Sequence, residues 1–114
     1  MLKKENRLTK RKAFGYIYKN GKSKSTDSLI VNYIPTKLNV CKVGFSVSKK
    51  IGKAHERNRI KRLLREAMKS LLNKVNNKYN YIIVAKPSIT DKSFAKIQEE
   101  LFQNLNKCGM IVDE

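Results

Sequence analysis

Between Lys49 and Ala67 the chain packs lysine and arginine at a spacing that can grip phosphate. Lys49, Lys50 and Lys53 lead into Arg57-Asn58-Arg59, followed by Lys61, Arg62, Arg65 and, one turn on, Lys69. At about 100° per residue, Asn58, Arg62, Arg65 and Lys69 fall on one stripe of a helix, flanked by Arg59 and Lys61. Guanidinium forks match phosphate oxygens bidentately, and Asn58 can bond backbone, ribose or base. A solvated helix face ordinarily mixes signs so that neighbours a turn apart can pair. Here Glu66 is the only acid within one turn of Arg62 and Arg65. The pattern is that of a polyanion-binding helix.

The charge of the whole chain points the same way. Its 114 residues carry 26 Lys and Arg against 9 Asp and Glu, a net charge of +17. All of the excess lies in residues 1–75; the remainder balances. Such an imbalance costs self-repulsion in the compact state and calls for a polyanionic partner, of which nucleic acid is the commonest. A second set of candidates is aromatic. Phe14 and Tyr18 are four residues apart, hence on one helix face, and Tyr33 shares a strand face with Val31. Unstacked bases lie on such rings, although rings at this spacing also serve as core.

Other chemistry lacks its residues. His55 is the single histidine, so no His pair exists for acid–base cleavage of RNA. Glu5, Asp27, Glu56, Glu66, Asp91, Glu99, Glu100, Asp113 and Glu114 form no metal-binding pattern, and there is no phosphate-binding glycine loop. No catalytic residue and no metal ligand is assigned. Cys41 and Cys108 are far apart, without a C-x-x-C spacing, and are expected to be reduced. Met1-Leu2-Lys3-Lys4 is basic with no apolar stretch after it, unlike a signal peptide, and no run approaches a membrane span. A cytoplasmic protein is expected, with no membrane role.

The elements that must position these residues can be read from periodicity. The spacing predicts a first helix over Thr9 to Lys19, capped by Thr9 and stopped at Asn20-Gly21. Leu29 to Ile34 reads as a strand ended by Pro35, and Val40 to Val47 as a second, with Val43, Phe45 and Val47 on one face. The short Thr36 to Asn39 connection predicts that these two form a hairpin. Ala54 to Leu72 is the clearest helix, its apolar stripe running from Ile60 to Leu72. Tyr79 to Ala85 reads as a strand buried on both faces and ended by Pro87, and Ser88 to Thr90 as a loop. Asp91 or Ser93 caps a last helix that Gly109 stops.

Phe45-Ser46-Val47-Ser48-Lys49-Lys50-Ile51-Gly52-Lys53-Ala54, running into Arg57-Asn58-Arg59-Ile60-Lys61-Arg62-Leu63-Leu64-Arg65-Glu66, resembles the signature of the bacterial ribonuclease P protein subunit. Arg7-Leu8, the Phe14 and Tyr18 pair and the strand Tyr81-Ile82-Ile83-Val84-Ala85 extend the resemblance over nearly the whole chain. The resemblance implies an α+β fold: a single two-layer domain over residues 1–114, in the order αβββαβα. It implies a mixed sheet with a left-handed βαβ crossover, of ribosomal-protein-like type, and a short first strand near Lys22 to Thr26.

The family's function is implied residue by residue. Arg57, Asn58, Arg59, Lys61, Arg62, Arg65 and Lys69 would contact a catalytic RNA. Phe14 and Tyr18 would line a cleft for the single-stranded 5′ leader of precursor tRNA, with Ser46, Ser48, Lys49 and Lys50 at its edge. Either Asn32 or Tyr33 would face that cleft, since a one-residue slip exchanges the faces of a strand. The implied reaction is hydrolytic removal of the leader, with the RNA subunit holding the catalytic Mg2+ ions. The partners would be the ribonuclease P RNA and precursor tRNA, with no required protein partner.

Overall fold

A computed structural model describes residues 3–38 and 40–112. Met1-Leu2, Asn39 in the expected connection, and the acids Asp113 and Glu114 lie outside the described residues. Two apolar patterns fix the architecture. Strand β4 (Tyr79–Ala85) buries Tyr81, Ile82 and Ile83 completely, so it needs cover on both faces and a neighbour on each edge. It finds these at the centre of a four-stranded sheet of order β1-β2-β4-β3. Strands β1 (Lys22–Ser25) and β2 (Leu29–Pro35) form an antiparallel hairpin; β2 pairs antiparallel with β4, and β3 (Val43–Ser46) pairs parallel with it.

The helices distribute between the two faces. Helices α2 (Ala54–Leu71) and α3 (Phe94–Lys107) bury Ile60, Leu64, Met68, Ile97, Leu101 and Leu105 against Leu29, Val31, Val43, Tyr81 and Ile83. This pair and the sheet are the two main layers. Helix α1 (Arg11–Asn20) lies on the opposite face, where Ile17 packs with Leu8 and Ile82. A ten-residue helix is about 15 Å long and about 10 Å wide with its side chains, less than a four-stranded sheet presents. Part of that face is therefore left open.

The expected β2–β3 hairpin does not form. The apolar run of β4 is worth most between two strands, so β4 inserts between β2 and β3, and the tight hairpin is β1–β2, closed by Thr26 N–H donating to the Leu29 carbonyl at 2.8 Å. Strand β3 is also shorter than the expected Val40 to Val47. Before it, the Cys41 carbonyl accepts from Asn6 Nδ2 at 2.8 Å and Lys42 N–H donates to Asn80 Oδ1 at 2.9 Å, so side chains replace part of the ladder. Thr9 does not cap α1. Leu8 N–H donates to the Val43 carbonyl at 2.9 Å, which holds this segment against β3, and the helix starts two residues later. Residues 88–90, expected as a loop, belong to a 3-10 turn, Pro87–Asp91, that buries Ile89. Of the two candidate caps of α3, Ser93 is the one used, its hydroxyl accepting from Lys96 N–H.

A polar network ties the β1–β2 turn to α3. Glu100 accepts from Thr26 Oγ1 (2.6 Å), Ser28 N–H (2.8 Å), Ser28 Oγ (2.6 Å) and Lys92 Nζ (2.7 Å). Burial alone would push this carboxyl up, but the bonds from Lys92, Ser28 and Thr26 outweigh it and hold the group at about 2. A depressed carboxylate stabilises the fold fully above its unfolded value, near 4.5, and loses that contribution as pH falls toward the folded value. Glu100→Ala removes the acceptor of four hydrogen bonds, two of them from buried Ser28, and is expected to cost about 3 kcal/mol. Urea unfolding at pH 7 reads that loss, and the difference from the parent should shrink between pH 4.5 and pH 2.

Candidate nucleic-acid interface

Two surfaces carry the residues singled out in the sequence. The first is the solvent side of α2. Its apolar stripe is sunk in the core, so the opposite stripe must face outward: Asn58, Arg62 and Lys69 are exposed and Arg65 is half-buried. Among the described residues no ion pair joins Lys61, Arg62, Arg65 or Lys69 to an acid. Arg59 is engaged: its Nη2 donates to Glu56 at 2.6 Å and to the Thr90 carbonyl at 3.3 Å, tying the helix start to the turn after β4. Arg57 is half-buried, and its Nε–H is buried without a partner. Arg7 joins the group because the bridge of its segment to Val43 holds it there. Arg7, Lys61 and Arg65 line one small cavity of about 110 Å³ with Leu8, Thr9 and Phe45. The helix thus presents Lys61, Arg62, Arg65 and Lys69 with no ion-pair partner among the described residues.

The second surface is the open part of the α1-side face. Cα pairing sets two rows across the sheet: Ser23, Asn32, Ile82 and Gly44, then Ser25, Ile30, Val84 and Ser46. Since Ile82 packs with Ile17 of α1, these rows share its face. The two central strands bring Ile30, Ile82 and Val84 to the floor beside Asn32, and serines hold three of the four edge positions. Phe14 overhangs the first row, so close that a Cβ on Gly44 would lie 2.4 Å from its ring. Tyr18, about half exposed, meets Phe14 edge to face with ring centroids 6.4 Å apart. Together they make a groove with one aromatic wall and a floor that can take bases or sugars.

This register separates the two open candidates on β2. Asn32 shares the face with Phe14. Tyr33, the other candidate for the cleft, is on the opposite face, where its ring meets Tyr79 at 6.1 Å and its hydroxyl is pushed up by burial. Ser46 lies in the second row, while Ser48, Lys49 and Lys50 are exposed at the short turn Lys49–Ile51 that joins β3 to α2. Sequence reasoning missed Ser23, Ser25, Ile30, Val84 and Gly44. Only the pairing of β1 and β4 with their neighbours brings them to the groove, and no spacing within one strand signals that.

Gly44→Ala tests the close approach directly. The added methyl would have to displace the Phe14 ring, and overpacking of this kind costs about 1–3 kcal/mol. The expected result is a lowered urea midpoint; an unchanged midpoint would show that Phe14 does not sit against β3.

Among the described residues no three His, Cys, Asp or Glu side chains gather. Cys41 and Cys108 are free thiols, and burial pushes Cys41 up to about 11. No described helix is long and apolar enough to cross a membrane.

The ribonuclease P family model matches residues 2–109. The ribonuclease P protein component of Clostridium botulinum (strain Loch Maree) is 37% identical over 108 residues, covering 94% of this chain and 97% of that one. That of Chlamydia trachomatis serovar L2 is 38% identical over 105 residues, covering 91% and 86%. Among solved structures, the Staphylococcus aureus RNase P protein superposes with a TM-score of 0.86 at 31% identity, covering 93% of this chain and 97% of that one. The Thermotoga maritima RNase P protein gives 0.82 at 25% identity, covering 89% and 96%. With the family matched over almost the whole chain and the fold shared with its solved members, this chain belongs to the ribonuclease P protein family.

Proposed function

We propose that the chain is the non-catalytic protein subunit of a ribonuclease P, acting with a catalytic RNA to remove the 5′ leader of precursor tRNA in the cytoplasm. The observation that carries this reading is the pairing, on one small basic domain, of an acid-poor cationic helix with an aromatic-walled groove. Arg57, Asn58, Arg59, Lys61, Arg62, Arg65 and Lys69 form the surface for the catalytic RNA. Phe14, Tyr18, Asn32 and Ser46 form the leader groove, with Ser48, Lys49 and Lys50 at its mouth. A single strand suits such a groove because each base offers a face to a ring whatever its identity.

The chemistry itself is assigned to the RNA. This assignment is consistent with the described residues, among which no three His, Cys, Asp or Glu side chains gather. In the proposal Mg2+ is held by RNA oxygens and supplies the hydrolytic chemistry there. The protein's own part is to neutralise repulsion between two RNAs and to position the leader. The test compares affinities for precursor and mature tRNA, with the RNA alone and with the RNA plus this protein. The protein should tighten precursor binding and leave mature tRNA unchanged. Equal tightening of both would replace the leader groove with a general electrostatic role.

A further inference from the structure

Helix α1 divides the open sheet face into two grooves, one of them walled by Phe14 and Tyr18. At 100° per residue, Phe14 and Tyr18 lie on one flank of α1 while Lys12 and Tyr16 lie on the other. The second flank overlooks a groove of about 570 Å³, floored by Ile34, Pro35 and Asn80 and walled by Lys12, Tyr16 and Lys37. Tyr16 is 62% exposed, the most open large apolar side chain among the described residues. No acid lines this groove among the described residues. A ring with two lysines and an apolar floor fits a nucleotide: base on ring, phosphate on ammonium.

The crest of α1 connects the two grooves. Arg11, Gly15 and Lys19 are spaced four apart along it and all are exposed. Glycine is the poorest helix former after proline, yet packing does not require it here: a Cβ at Gly15 would meet nothing within 4 Å. The row therefore has a notch in its middle, framed by two cations. A polynucleotide backbone can pass through such a notch close to the helix.

We propose that the single-stranded leader continues from the Phe14 and Tyr18 cleft across Gly15, between Arg11 and Lys19, and that its 5′-distal part lies in the Tyr16, Lys12 and Lys37 groove. This rests on the reading of the first groove as the leader cleft. The occupant is the leader because the second groove adjoins that cleft across one helix width and shares its charge.

The test uses the enzyme reconstituted with ribonuclease P RNA and two precursors that differ only in leader length, about four and about twelve nucleotides, which bracket common single-strand site sizes. Tyr16→Ala and Gly15→Gln are each expected to weaken binding of the long-leader precursor about tenfold, the scale of one lost base stack, and to leave the short-leader precursor unchanged. Glutamine is a better helix former than glycine, so a loss with Gly15→Gln is not a folding defect. Equal losses on both leaders, or no loss on either, overturn the proposal. Tyr18→Ala runs beside them. If it discriminates precursor from mature tRNA while the other two variants ignore leader length, only the second groove falls. If it does not, the leader cleft falls and this proposal with it.

Discussion

Arg62→Ala combined with Arg65→Ala is expected to weaken assembly with the catalytic RNA by about 100-fold or more and to leave folding intact. Both side chains sit on the outer stripe of α2, and no ion pair among the described residues would be lost with them. Each charge-assisted bond to phosphate is worth about 1.5–3 kcal/mol. Each phosphate contact also releases condensed counterions, so the slope of log affinity against log salt should fall by about one unit per arginine, about two in all. A salt titration of binding to the isolated RNA measures both quantities. An unchanged slope would remove these arginines from the interface. Arg59→Ala is a less clean probe, because Arg59 holds Glu56 and the Thr90 carbonyl within the protein.

Tyr18→Ala is expected to weaken precursor tRNA binding by the reconstituted enzyme about tenfold or more while mature tRNA binding stays the same. The magnitude follows from the loss of one base stack, about 1–3 kcal/mol. Tyr18 is the better variant of the aromatic pair because it is about half exposed and outside the core, whereas Phe14 packs against the cluster of Leu8, Ile17 and Ile82 and would also cost stability. Tyr18→Phe keeps the ring and should retain most of the affinity. Parallel loss for precursor and mature tRNA would place Tyr18 outside the leader path.

How much of this was legible in the sequence depends on the range of the forces involved. The i, i+3, i+4 stripe of α2 is local, and helix and cationic face both lie where the wheel puts them, with the end one residue short of the expected Leu72. The run from Tyr79 to Ala85 reads as a doubly buried strand and is one. The sheet order is not local. It is set by which strand gains most from the central place, and β4 displaces the β2–β3 pairing that chain proximity favours. The groove inherits that uncertainty. Phe14 and Tyr18 are legible because one helix carries both, but the choice between Asn32 and Tyr33 turns on a register that only Ile82 and Tyr81 opposite them decide. Arg7 reaches α2 through a backbone bridge to Val43 that no pattern within the N-terminal segment announces.

The proposed role of this protein is to make an RNA-catalysed cleavage efficient without performing it. It is tested most directly by incubating precursor tRNA with a bacterial ribonuclease P RNA at low magnesium, with and without the protein, and with the protein alone. Cleavage at the mature 5′ end is expected only when both components are present. Cleavage at that site by the protein alone would contradict it, as would tight RNA binding that never promotes cleavage.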